Sequence, residues 1–242
     1  MKKMMMAAFA AIVFGTPASA TVSYKLTVDT SSQAGRSGYV DLQFGPGCLG
    51  EICNPAAQNA FATVSGFKTD GNLIAFDETD PNDLAIGTTG TLDTVVKFDN
   101  QTATPSDFSQ AITFGKSLSL LISFSGPAID APWNTGGNYN GTGFLVGFGN
   151  NDFTNYLFGD DSGTLAGIAA AFHVQQDGSI LAVANPSGND YTTSSRLSFA
   201  TVDLAVGAAP EPSTWAMMIL GFGAAGYAMR RRRKIATRVR YA

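Results

Sequence analysis

Histidine is nearly missing from this chain: His173 is the only one among 242 residues. Cysteine is almost as scarce, with Cys48 and Cys53 the whole complement. Charged side chains make up 14%, well below the roughly 25% of ordinary soluble domains. Each shortage removes a class of function. The Cys and His content does not give the repeated, closely spaced pairs of zinc and redox motifs. The lone histidine sits in Ala170-Ala171-Phe172-His173-Val174, where it reads as an outward-facing strand residue. No G-x-S-x-G elbow frames a nucleophile for it to activate. Few stretches run a dozen residues without one of the 27 glycines or 10 prolines, so long helices have little room. Disorder is excluded from the other side, because 17 Phe and 7 Tyr are too many for a chain that buries no core.

Positive charge is also scarce where it would matter for nucleic acid. Between residues 21 and 209 stand only Lys25, Arg36, Lys68, Lys97, Lys116 and Arg196, against eighteen acids, a net of −12. The remaining basic residues open the chain as Lys2 and Lys3 or close it as Arg230 to Lys234, Arg238 and Arg240. A nucleic-acid binder is therefore not expected. An acidic body between basic ends fits a middle that crosses a membrane while the ends stay behind.

The N-terminus supports that topology. Met1-Lys2-Lys3 is a positive n-region, Met4 to Gly15 an uncharged apolar run, and Ala18-Ser19-Ala20 a small-residue cleavage site for signal peptidase. The run falls short of the roughly 20 residues a span needs, so residues 1–20 read as a signal peptide rather than an anchor. Export to an oxidising space favours a local Cys48–Cys53 disulfide in a Gly/Pro loop over a metal site or free thiols. So short a closed loop stiffens its own neighbourhood more than the whole fold.

The C-terminal residues 210–234 read Pro210-Glu211-Pro212-Ser213-Thr214, then apolar Trp215 to Met229, then Arg230-Arg231-Arg232-Arg233-Lys234. The apolar part would make roughly 22 Å of helix, short against a hydrocarbon core of about 30 Å. Ser213, Thr214 and snorkelling arginines extend it, so a short transmembrane helix is expected. Trp215 then lies at the outer interface, with residues 235–242 as a cytoplasmic tail. Residues 207–209 form a small-residue linker. Gly221-x-Gly223-x-x-Gly226 matches a dinucleotide fingerprint by letter only. It lies inside the apolar run, where its small residues favour close helix packing.

The order of motif, apolar run and basic cluster resembles the PEP-CTERM sorting domain in its PEPxxWA form. The resemblance implies handling by a membrane-embedded exosortase, with Pro210, Glu211, Pro212, Trp215 and Ala216 as the sorting motif. It also makes Trp215 to Met229 a transient anchor and Arg230, Arg231, Arg232 and Arg233 the stop-transfer charge. The implied route passes through an inner-membrane-anchored intermediate to the cell surface or extracellular matrix of a Gram-negative bacterium. Similar termini occur on proteins labelled ice-binding.

Residues 21–206 read as one β-rich extracytoplasmic domain. Val22, Tyr24, Leu26 and Val28 alternate with polar residues, as do Val40, Leu42 and Phe44. The same period runs through Leu92, Thr94, Val96 and Phe98, through Leu118, Leu120, Ile122 and Phe124, and through Phe144, Val146 and Phe148. Gln176-Asp177-Gly178-Ser179 predicts a hairpin turn after Phe172 and Val174. Asp107 to Ala111 is expected to form one helical turn. Many short strands with frequent turns predict an all-β fold, an antiparallel sandwich or jelly roll. Tyr24-x-Leu26-x-Val28-Asp29-Thr30-Ser31 and Gly35-x-Ser37-Gly38-Tyr39-x-Asp41-x-Gln43-Phe44 are similar to the bodies of a group of PEP-CTERM proteins. That resemblance implies a secreted β domain and brings no active site.

Three features of the body bear on ligands. Asp77, Asp80 and Asp83 gather oxygen atoms in one turn, suiting either calcium or plain solvation. Asn150, Asn151, Asp152, Asn155, Asp160 and Asp161 form a looser second cluster. Trp133, Asn134, Asn138 and Tyr139 put aromatic faces beside amides in a polar loop, an arrangement that stacks on sugars or packs down on a sandwich. No other cofactor is suggested. The composite expectation is a non-enzymatic, structural or adhesive surface protein among extracellular polysaccharide, with signal peptidase, exosortase and the membrane as partners. A secreted hydrolase of matrix polysaccharide and an ice-binding protein are the rivals. For the latter, Thr88, Thr89, Thr91 and Thr94 form no regular ladder.

Overall fold

Alternation of apolar and polar residues with period two builds nearly every element. The computed structural model describes residues 21–46, 58–102, 105–132, 142–158, 167–187, 190–194, 199–205 and 212–233. Its strands are β1 (Val22–Asp29), β2 (Ser37–Pro46), β3 (Phe61–Thr69), β4 (Asn72–Leu73), β5 (Leu84–Ile86), β6 (Thr88–Thr89), β7 (Val95–Asp99) and β8 (Ser106–Thr113). They continue as β9 (Ser117–Ser125), β10 (Thr142–Asn150), β11 (Ile168–Val174), β12 (Ile180–Ala184), β13 (Pro186–Ser187), β14 (Asp190–Ser194) and β15 (Ala200–Ala205). Two helices join them, α1 (Pro127–Asp130) and α2 (Pro212–Arg233).

The first sheet runs β15-β1-β9-β3-β7-β6, and the second runs β12-β11-β10-β2-β8-β4 with β5 also pairing β8. All pairings are antiparallel, and the chain passes repeatedly from one sheet to the other. Leu26, Val28, Leu118, Leu120, Ile122 and Phe124 point inward from the first sheet, and Val40, Leu42, Phe44, Phe144, Val146 and Phe148 from the second. Their rings meet across the gap, with Phe124 5.9 Å from Phe144 and Phe44 6.3 Å from Phe98. The body is thus the antiparallel β-sandwich that the alternation predicted. Ala20–Gly207 forms one unit, and α2 belongs to another.

Four expectations need correction. Asp107 to Ala111 is not helical: it lies within β8, paired with β2 on one side and with β4 and β5 on the other. Phe108, Gln110 and Ile112 lie on one side of the pleat and all are buried, a two-residue period that a helix, which turns about 200° in two residues, does not give. Leu92 and Thr94 do not extend β7, because Thr94 N–H donates to the Thr91 carbonyl and closes a turn. His173 does not face solvent; it is 9% exposed on a strand buried along its whole length. Finally, α2 forms over 22 residues, but no described helix is long and apolar enough to cross a membrane. The glycines and the Pro-Ser-Thr start dilute its short apolar run.

The hairpin turn before β12 stands as expected. Gln175 N–H donates to the Ser179 carbonyl, and Gly178 takes a φ of +82° that suits glycine. Residues 1–20, Cys48, Cys53, Trp133, Asn134, Asn138, Tyr139, Asp160, Asp161, Pro210, Glu211 and 235–242 lie outside the described residues.

Candidate functional site

The two outer faces of the sandwich differ in chemistry. On the second sheet, Tyr39, Asp41 and Gln43 of β2 and Asp107, Ser109 and Ala111 of β8 point away from the core, a side that commonly meets water. Here it is covered. The chain after β10 folds back, with Leu157 N–H donating to the Phe148 carbonyl and Asn150 N–H to that of Asn155. Tyr156 thereby lies over Gly147 and Gly167, where an added Cβ would come within 2.6 and 2.1 Å of it. Its hydroxyl donates to Asp41 Oδ2 at 2.6 Å.

Asp41 is only 3% exposed, and Gln43 Nε2 also donates to its Oδ2 at 3.3 Å. Burial, reinforced by the charge of Asp107 hydrogen-bonded beside it, pushes Asp41 up to about 7. Burial also raises Asp107, and it raises the Tyr156 phenol, which the Asp41 charge holds protonated further. The result is a carboxyl pair sharing a proton under a tyrosine lid. Asp41 and Asp107 are hydrogen-bonding neighbours, whereas the paired carboxyls of glycoside hydrolysis stand about 5 Å or more apart around the sugar. What this pair does chemically is hold a proton and pin the 150–158 segment.

The acidic turn is likewise engaged with its own chain. Asp83 accepts the Asp77 N–H at 2.8 Å and the Ala111 N–H at 2.9 Å. Asp80 accepts the Tyr39 hydroxyl at 2.9 Å and the Asn82 N–H at 2.9 Å. Asp77 accepts both N–H and hydroxyl of Thr79. These carboxylates shape a turn that covers β8. The Asn150–Asn155 cluster does the same, with Asp152 accepting the Thr154 hydroxyl at 2.7 Å. Among the described residues, no group of three or more His, Cys, Asp or Glu is placed to hold a metal.

The outer face of the first sheet is open and paved with short hydroxyls. Ser23, Lys25 and Thr27 of β1 lie beside Ser123, Leu121 and Ser119 of β9, and Thr63 and Ser65 of β3 continue two of those rows. A β-bulge follows. Register runs from Ser65 opposite Leu121 to Lys68 opposite Ser119, one residue more than a regular strand allows. Gly66 absorbs the kink at φ +59°. The extra residue turns Phe67 against the core and sets Lys68 on the open face. Thr27, Ser119 and Lys68 then form one row across three strands. Lys25, Thr27, Lys68, Thr69, Ser117, Leu118 and Ser119 line a groove of about 170 Å³.

Sequence reading missed both places. Asp41 between Val40 and Leu42 looks like any solvent-facing strand residue, and nothing local announces Tyr156. The lysines sit 43 positions apart, and only the pairing of β1, β9 and β3 brings them together. The Gly66-Phe67-Lys68 break in alternation was the one available signal.

Comparison with known proteins assigns the other end of the chain. Residues 208–233 match the PEP-CTERM protein-sorting motif. They include Pro210, Glu211, Pro212, Trp215, Ala216 and all four arginines from Arg230 to Arg233. The motif supports exosortase-dependent sorting to the cell surface. No curated protein and no solved structure matches the chain.

Proposed function

We propose that this is an exported protein whose tail is handled by an exosortase and whose β-sandwich serves as a structural or adhesive module in the extracellular matrix. The observation that carries this is the sorting motif at 208–233, attached to a body with its own aromatic core. In the proposed route signal peptidase removes residues 1–20. The arginines after Met229 hold the tail at the membrane by their charge, and Pro210, Glu211 and Pro212 direct processing and release. The Trp133–Tyr139 loop offers a second, aromatic contact for polysaccharide.

Fractionation of cells with an epitope in the body tests the route. Wild-type protein is expected at the surface, and a chain with Pro210, Glu211 and Pro212 changed to alanine is expected in the membrane fraction. Surface delivery of that triple variant at the wild-type level, in a host with an exosortase, rejects the sorting route. Export also makes a Cys48–Cys53 disulfide the expected state of the mature chain. Intact-mass measurement should find neither thiol alkylated without reductant, and alkylation of both counts against an oxidised pair.

A further inference from the structure

We infer that the groove on the outer face of the first sheet binds a carboxylate-bearing unit of an anionic polysaccharide, an assignment that rests on the adhesive reading above and names its ligand. Charge placement is the first ground. The body carries eighteen acids and six bases, yet three of those bases, Lys25, Lys68 and Lys97, stand exposed on this one face. Asp203 lies beside Lys25 in register, Asp29 and Asp70 flank Ser117 at one end and Asp99 stands near the far edge, but the groove lining itself contains no acid. Neither Lys25 nor Lys68 makes an ion pair with the described residues. Both ammonium groups therefore remain available to a ligand.

The bulge is the second ground. A regular β3 would have put Phe67 opposite Ser119 and left an aromatic on the surface. The additional residue replaces it with a lysine beside Thr27 and Ser119, whose hydroxyls have no hydrogen-bond partner among the described residues. Bulges recur where a side chain has to be re-aimed. Two ammonium groups flanked by hydroxyls match a carboxylate on a ring that bears hydroxyls of its own.

Size selects a polymer. A groove of about 170 Å³ is smaller than the roughly 300–1,000 Å³ that enclose a drug-sized molecule. It has room for one ring or its acidic substituent, so retention comes from many copies along one chain. A nucleic acid fits less well: its charge about every 1.7 Å meets more repulsion from the −12 body than a polysaccharide whose acidic groups stand a sugar ring apart.

Affinity electrophoresis of the full-length chain in mild detergent tests the site, with polygalacturonate or neutral dextran cast in the gel. Wild-type protein is expected to be retarded by polygalacturonate. Lys68→Gln should weaken this about fivefold and Lys25→Gln/Lys68→Gln at least about tenfold. Lys97→Gln removes the same charge from the same face outside the groove, and it should change retention by less than about twofold. Retention of the double variant at the wild-type level, an equal loss in Lys97→Gln, or retardation by dextran alone each overturns the groove while leaving an adhesive body standing. Free migration of the wild-type chain through both polymers overturns the adhesive reading and the groove together.

Discussion

The sandwich is expected to lose stability as pH rises from about 5 to about 8, and Asp41→Asn is expected to remove most of that loss. An aspartate in the unfolded chain titrates near about 3.9. Buried against Asp107 and under Tyr156, Asp41 keeps its proton up to about 7. Between those values the unfolded chain has released a proton that the native state still holds. Unfolding therefore becomes easier with each step of pH, until both states are ionised above about 7. At full effect the cost is on the order of 3 kcal/mol, or roughly 6–12 °C in Tm for a domain of this size. The upward shifts of Asp107 and Asp83 act in the same direction.

Carboxylates held low by their own turns do not confuse the window. Asp29, Asp70, Asp77, Asp152 and Asp177 are drawn below the usual range by hydrogen bonds from Ser31, Ser117, Thr79, Thr154 and Ser179. Their stabilisation is lost as pH falls below about 4, outside the interval tested. In Asp41→Asn the amide N–H replaces the acid proton toward Asp107, and the amide oxygen still accepts from Tyr156. Thermal unfolding across the interval should then keep only the shallower slope left by Asp107 and Asp83, with the variant more stable than wild type at the alkaline end. A wild-type protein that is as stable at about pH 8 as at about pH 5, or a variant that keeps the full wild-type slope, refutes the shared proton.

Phe124→Ala should be the most damaging single change in the core. Phe124 is 0% exposed and touches four rings: Phe172 at 5.6 Å, Phe144 at 5.9 Å, and Phe44 and Tyr24 at 6.4 Å. Tyr24 shares its sheet, while the other three belong to the opposite one, so truncation opens a void at the join. The loss combines transfer and cavity terms of about 3–5 kcal/mol, a large part of the roughly 5–15 kcal/mol that holds a domain together. Leu204→Ala on β15, at 63% exposure, should stay within about 0.5 kcal/mol. Denaturant unfolding of both variants beside wild type is the measurement. A Phe124→Ala midpoint no lower than that of Leu204→Ala would falsify the proposed core.

Sequence by itself determined what depends on neighbours along the chain. The tail is a linear signal, and its motif, apolar run and arginines carry their meaning without any tertiary context. Strand faces are also local, because a pleated backbone sends successive side chains to opposite sides. Val40, Leu42 and Phe44 thus announced a buried row. Local pattern failed at Asp107 to Ala111, where strand partners on both sides impose an extended backbone on residues with a helical look.

Tertiary structure alone decided which polar face stays open. Asp41 on β2 and Lys25 on β1 occupy equivalent places in their alternations, yet one is buried and raised in pKa while the other lines an exposed groove. The difference for Asp41 comes from Tyr156, 115 residues away, and for Lys25 from a bulge 41 to 43 residues away. Burial, and with it the free energy of ionisation, depends on every element that packs nearby. No window along the chain contains those neighbours, so the proton pair and the lysine groove exist only once both sheets have assembled.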